Sequence, residues 1–97
     1  MSNKKYGLDK ERKLKSKLEL EGALFVSRCR GSFGVFDLIC FHNSECMLIS
    51  VKATHKIKYN AKPELRKLYD VVVPNYCKKY LYVWSNKKWK IYKIDSL

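Results

Sequence analysis

The sequence predicts an α/β protein: a mixed central β-sheet flanked by two helices, in the order α-β-β-β-α-β-β. Three observations predict it. An amphipathic stretch near the start places Leu14 and Leu18 four apart on one face. Three apolar segments of strand length follow, over 23–28, 35–41 and 46–53, separated by turn-forming residues. A helical stretch opened by Pro63 then precedes two more strand-like segments joined by a short polar turn.

Each element has its own signal. Residues 1–8 are polar and basic and read as a loose arm of one 97-residue domain. A chain of this size buries roughly two-thirds of its unfolded surface, enough for one core and one site. Asp9 is a plausible N-cap for a helix over 9–21, and Gly22 stands just past its end. The outer face of that helix carries Lys10, Arg12, Lys13 and Lys17.

The segment 29–34 is punctuated by Gly31 and Gly34 and reads as a loop, and 42–45 supplies a turn. The strands before and after that turn are almost continuously apolar, as in strands covered on both faces. Residues 54–62 read as a polar link. The second helix runs from Pro63 to about Val72, with Leu65, Leu68 and Val72 facing inward. Pro74-Asn75 ends it, residues 80–84 form the fourth strand, 85–88 a hairpin turn and 89–94 the fifth strand.

Charge narrows the function. Lys and Arg number 21 against 9 Asp and Glu, a formal net charge of +12. Such an excess favours polyanions, above all nucleic acid, over membranes or acidic proteins. A basic but inert solubilising surface is the bland alternative. No apolar run approaches the roughly 20 residues that span a bilayer, and the N-terminus lacks the apolar stretch of a signal peptide. The expectation is an intracellular protein without a membrane partner. Cys29, Cys40, Cys46 and Cys77 then read mainly as buried thiols. Cys40, His42, Cys46 and His55 fit no compact zinc pattern and contain no C-x-x-C pair.

Two residues stand out against this frame. Asp37 interrupts the second apolar strand and Lys52 the third. An acid in an apolar strand is costly unless paired, hydrogen-bonded or bound to a metal. A hairpin through 42–45 brings the two strands together, so a half-buried ion pair or a snorkelling lysine is the ordinary account.

Their surroundings point further. Gly7, Glu11, Leu14, Leu18 and Gly22 spell G-x3-E-x2-L-x3-L-x3-G. Val26-Ser27-Arg28, the Gly31-Ser32 loop, Asp37-Leu38-Ile39 and Leu48-Ile49-Ser50-Val51-Lys52-Ala53 follow in order. With these pieces the chain resembles the PD-(D/E)XK nuclease superfamily, and within it the archaeal-type Holliday junction resolvases, over nearly its whole length.

The resemblance implies a restriction-endonuclease-like fold and a divalent-metal-dependent DNA endonuclease that hydrolyses phosphodiester bonds, with Holliday junctions or other branched DNA as substrates. Asp37 would be the central ligand of Mg²⁺ or Mn²⁺, cations that prefer oxygen. Glu11 would be a further acid near the metal, and the Val51 carbonyl would complete the protein ligands. Lys52 would orient the attacking water and offset charge on the phosphate. Ser32 would contact the scissile region. Arg28 and Arg30 would hold phosphates, and Lys10, Lys13, Lys56 and Lys58 would follow the DNA backbone, with Lys17, Lys87 and Lys88 as further candidates. Each lysine taken singly is as readily a solvated surface charge. A homodimer is expected from the two-fold symmetry that suits cutting both strands of a junction, and no small-molecule cofactor is expected.

One departure bears on activity. The superfamily motif carries a carboxylate two residues before the lysine, and Ser50 occupies that position here. Some restriction enzymes of the superfamily move the acid onto the following helix. Glu64, 12 residues after Lys52, is the candidate for that relocated role, catalytic and metal-binding; an acid favourable to a helix N-terminus is its ordinary reading. Two other functions fit the same composition: a catalytically silent DNA-binding protein on this fold, and a basic RNA-binding or assembly protein. Tyr59, Tyr76, Tyr80, Tyr82, Trp84 and Trp89 read as core and strand packing rather than stacking platforms.

Overall fold

Central strands buried on both faces and a helix on each side produce a three-layer arrangement in the computed structural model, which describes residues 3–29 and 35–94. The elements are α1 (Asn3–Leu20), β1 (Phe25–Arg28), β2 (Leu38–Phe41), β3 (Cys46–Ala53), α2 (Lys62–Tyr69), β4 (Cys77–Ser85) and β5 (Lys88–Ile94). This is the predicted order. The strands form one five-stranded sheet in sequence order, β1-β2-β3-β4-β5. All neighbours are antiparallel except β3 and β4, which α2 connects as a parallel crossover.

The first helix differs from expectation at its start. It begins at Asn3, so residues 3–8 are helical rather than a loose arm, and Asp9 lies inside the helix rather than at its N-cap. The periodicity extends two steps further back than the leucines suggest: Tyr6, Lys10, Leu14 and Leu18 recur every four residues on one face. At the C-terminal end, Gly22 takes φ +100°, the Gly22 amide donates to the Glu19 carbonyl and the Ala23 amide to the Leu18 carbonyl. That pair of bonds is a Schellman motif, which a glycine at this position permits.

Each face of the sheet carries its own core. On the α1 side, Leu14 and Leu18 pack with Val26, Leu38, Cys40, Met47, Ile49 and Tyr82. On the α2 side, Leu68 packs with Phe36, Leu48, Leu81, Val83 and Ile94. Burial on both faces explains the continuous apolar runs in β2 and β3. The α2 helix is shorter than its sequence pattern suggests: it ends at Tyr69 with Asp70 as its C-cap, and Val72, expected inward, is exposed. Its C-terminal carbonyls have an unusual partner. The buried Lys79 ammonium, projecting from β4, donates to the carbonyls of Leu68, Tyr69 and Val71 at 2.8, 3.0 and 2.8 Å. A cation there satisfies groups that a helix end leaves orphaned and complements the dipole.

The β4–β5 turn is tighter than the four residues read as a turn. Asn86 and Lys87 alone form it, both at positive φ (49° and 61°), as a two-residue hairpin turn requires. No helix among the described residues is long and apolar enough to cross a membrane.

Candidate active site

The site is built where β2 begins beside β3. Asp37 immediately precedes β2, and three hydrogen bonds fix it. Its carbonyl accepts from the Cys29 amide at 2.9 Å, and its amide donates to the Ile49 carbonyl at 2.8 Å. Its Oδ2 accepts from the Val51 amide at 2.7 Å. Leu38 is already the register partner of Ile49, so Asp37 and Leu38 both address Ile49. Two residues opposing one is the arrangement of a β-bulge, a device that re-aims a side chain at the end of a ladder. It turns the Asp37 carboxylate onto the edge of β3. Because the amide and carbonyl of one strand residue lie on the same edge, the Val51 carbonyl is directed toward that side as well.

Two more acids approach from opposite layers. Glu11 comes from α1, and its carboxyl is pushed above the ordinary range, first by burial and then by the charge of Asp37. The Arg28 guanidinium opposes that shift, with its Nε 3.6 Å from Glu11 Oε1. Arg28 Nε is buried and makes no hydrogen bond to the described residues. It therefore serves Glu11 as a counter-charge at ion-pair range. Glu64 comes from the first turn of α2. The Asp37 carboxyl is also raised, chiefly by burial; the Glu64 charge adds to the rise, while the Val51 amide, Arg28 and Lys52 lower it.

Lys52 is exposed, and strand alternation puts it with Ser50 on the α2 side of the sheet, the side of Glu64. No ion pair joins Lys52 to Asp37 among those of the described residues, so the bland account of a closed pair is not the arrangement seen. Ser50 is almost fully buried.

The structure thus brings Glu11, Asp37, Val51, Lys52, Glu64 and Arg28 into one neighbourhood. Lys56 and Lys58 are exposed on the segment after β3, and Lys13 is exposed on α1. Lys10 is engaged differently from a free phosphate contact: its ammonium lies 4.3 Å from the Trp84 ring centroid and 5.4 Å from that of Tyr6. Ser32, Arg30 and the Gly31-Ser32 loop lie outside the described residues. Sequence reasoning overlooked Arg28 as the partner of Glu11. Its position two residues past the buried Val26, on the face that α1 covers, is the signal that points to it.

The donor set suits a hard cation. It offers carboxylate and carbonyl oxygens, held close enough that burial and mutual repulsion disfavour full ionisation without a cation between them. No group of three or more His, Cys, Asp or Glu side chains among the described residues converges to metal-holding distance. Mg²⁺ needs no such group, since one or two carboxylates with waters and substrate phosphates suffice.

A mixed sheet between two helices, with an acid at the edge of its central strands and a lysine on the next strand, defines the restriction-endonuclease-like class of nucleases. Within that class, residues 2–97 match the model of the family described as archaeal Holliday junction resolvase (hjc), and the chain belongs to that family. No curated protein matches it.

Proposed function

We propose that this protein is a divalent-metal-dependent DNA endonuclease that hydrolyses phosphodiester bonds at four-way or other branched DNA, acting as a homodimer. The observation that carries the reading is the opposition of Glu11 and Asp37, two half-buried carboxylates whose charges repel beside an exposed Lys52. Both carboxyls have pKa values raised first by burial, and a cation bound between them would favour their charged forms.

Asp37, the Val51 carbonyl and Glu11 would hold Mg²⁺ or Mn²⁺, with Glu64 supplying the charge that Ser50 does not. Bound there, the ion supplies Lewis-acid assistance and a more acidic water. Lys52 positions the attacking water and offsets negative charge on the phosphate. Arg28, at ion-pair range of Glu11, opposes part of the rise in its pKa. The surface lysines, with the net charge of +12, supply the affinity for the DNA backbone. A two-fold dimer presents two such sites to the two strands of a junction.

The test is cleavage of a labelled four-way junction and of linear duplex in Mg²⁺, Mn²⁺ and EDTA. Nicking near the branch point that requires metal supports the reading. Tight, salt-sensitive binding with no cleavage in either metal would replace it with the silent DNA-binding protein, the reading that Ser50 favours.

A further inference from the structure

Beside Lys52 lies a cavity of about 740 Å³, lined by Tyr6, Val51, Lys52, His55, Tyr59 and Glu64 among others. Its volume falls in the range of roughly 300–1,000 Å³ typical of sites for small ligands. One wall is a stacked ring pair: Tyr6 of α1 and His55 of the segment after β3, with centroids 4.3 Å apart and planes 18° from parallel. Neither ring belongs to either core cluster, and His55 is exposed, so core packing does not account for the stack.

The stack is braced from both sides. Tyr6 is bracketed by the Lys10 ammonium, which bears on both the Tyr6 and the Trp84 rings. His55 is fixed through its neighbour: the Thr54 amide donates to the Trp84 carbonyl at 3.0 Å, and the Lys56 amide donates to Thr54 Oγ1 at 3.1 Å. Trp84 therefore anchors both halves. Two pre-aligned rings lose little conformational freedom when a third is added, which is the condition for an efficient platform.

We propose that the Tyr6–His55 pair is a stacking platform for one unstacked nucleobase of the DNA, next to the phosphate engaged at Lys52. The two rings are already in contact, so a base continues the stack rather than entering between them. Bases inside continuous duplex are stacked on their neighbours and unavailable. A base at a branch point can leave its neighbour at lower cost, so the platform selects DNA that is discontinuous beside the cleaved bond. This rests on the nuclease reading above and deepens it by naming the feature of the substrate that the site reads.

The experiment uses the full chain, Ca²⁺ in place of Mg²⁺, and 2-aminopurine placed at the branch point of a four-way junction or within continuous duplex. Binding should quench the probe in the junction and leave it unchanged in the duplex. Tyr6→Leu and His55→Leu should each abolish the quench and weaken junction affinity roughly tenfold more than duplex affinity, a typical loss for one stacked base. Tyr6→Phe should retain both. Unchanged quenching in His55→Leu, an exposed position whose substitution leaves both cores intact, overturns the platform. So does equal loss of affinity for the two DNAs. Failure of the nuclease reading registers separately, as absence of Mg²⁺-dependent cleavage while the quench persists.

Discussion

The Asp37 carboxylate accepts a 2.7 Å hydrogen bond from the Val51 amide, although its own pKa is raised by burial. The bond orients the side chain along the edge of β3 without fully compensating its desolvation. Asp37→Asn can keep the bond, because an amide oxygen also accepts. The variant should therefore fold at least as stably as the wild type without metal, while cleavage falls by 10²-fold or more, the order seen when a charged stabiliser is lost from an active site. Thermal melts and single-turnover kinetics on one preparation check both halves.

The pH dependence of that stability has a definite sign. Glu11 and Asp37 have folded pKa values above their unfolded ones. Their contribution is fully present below the unfolded values and is lost as pH rises through the folded values. The metal-free wild type should lose stability relative to Asp37→Asn as pH climbs out of the ordinary carboxylate range. Mg²⁺ should restore it at neutral pH by binding the folded state. Melting curves across pH, with and without Mg²⁺, measure the effect.

Arg28 lowers the pKa of both acids, so Arg28→Gln should raise both. The acid limb of the pH–rate profile should move to higher pH, and the loss of cleavage should be larger at pH 6 than at pH 8. A loss equal at all pH values, matched by weaker DNA binding, assigns Arg28 to phosphate contact instead.

Glu64 and Ser50 form a reciprocal pair of tests. Glu64→Gln should reduce cleavage roughly 10–100-fold, as for removal of a group that supports a metal site. Ser50→Glu places an acid on the Lys52 side of the sheet at a nearly buried position. It should lower metal-free stability by about 1–3 kcal/mol and regain it with Mg²⁺. Full activity in Glu64→Gln leaves Glu11 and water to complete the metal shell.

Lys79→Met removes three hydrogen bonds from the end of α2. The expected cost is about 2–3 kcal/mol, a fall in Tm of roughly 10 °C or more, since buried carbonyls are left without a donor. Cleavage measured below the transition should change little.

The legible part of this protein was its periodicity. Leu14 and Leu18 placed α1, the continuous apolar runs marked β2 and β3 as strands covered on both faces, and Pro63 placed α2. The polar residues that broke those patterns, Asp37 and Lys52, pointed to the candidate site. Less legible were contacts fixed by tertiary geometry. Tyr6 and Lys10 continue the α1 stripe, but a tyrosine and a lysine in a basic segment carry no hydrophobic signal of their own. The bulge that re-aims Asp37 depends on which two residues share Ile49, a matter of register that the apolar run does not encode. Lys79 sits in a strand whose alternation turns it inward, yet its partners are main-chain carbonyls and leave no trace in residue type.

The central claim is that Asp37 anchors a metal for hydrolysis of branched DNA. Single-turnover cleavage of a four-way junction by wild type and Asp37→Asn, across a Mg²⁺ titration, tests it most directly. The account predicts saturable, metal-dependent nicking by the wild type and near-complete loss in the variant, with junction binding in Ca²⁺ retained by both. Equal cleavage by the two proteins, or none by the wild type at any Mg²⁺ concentration, would contradict it.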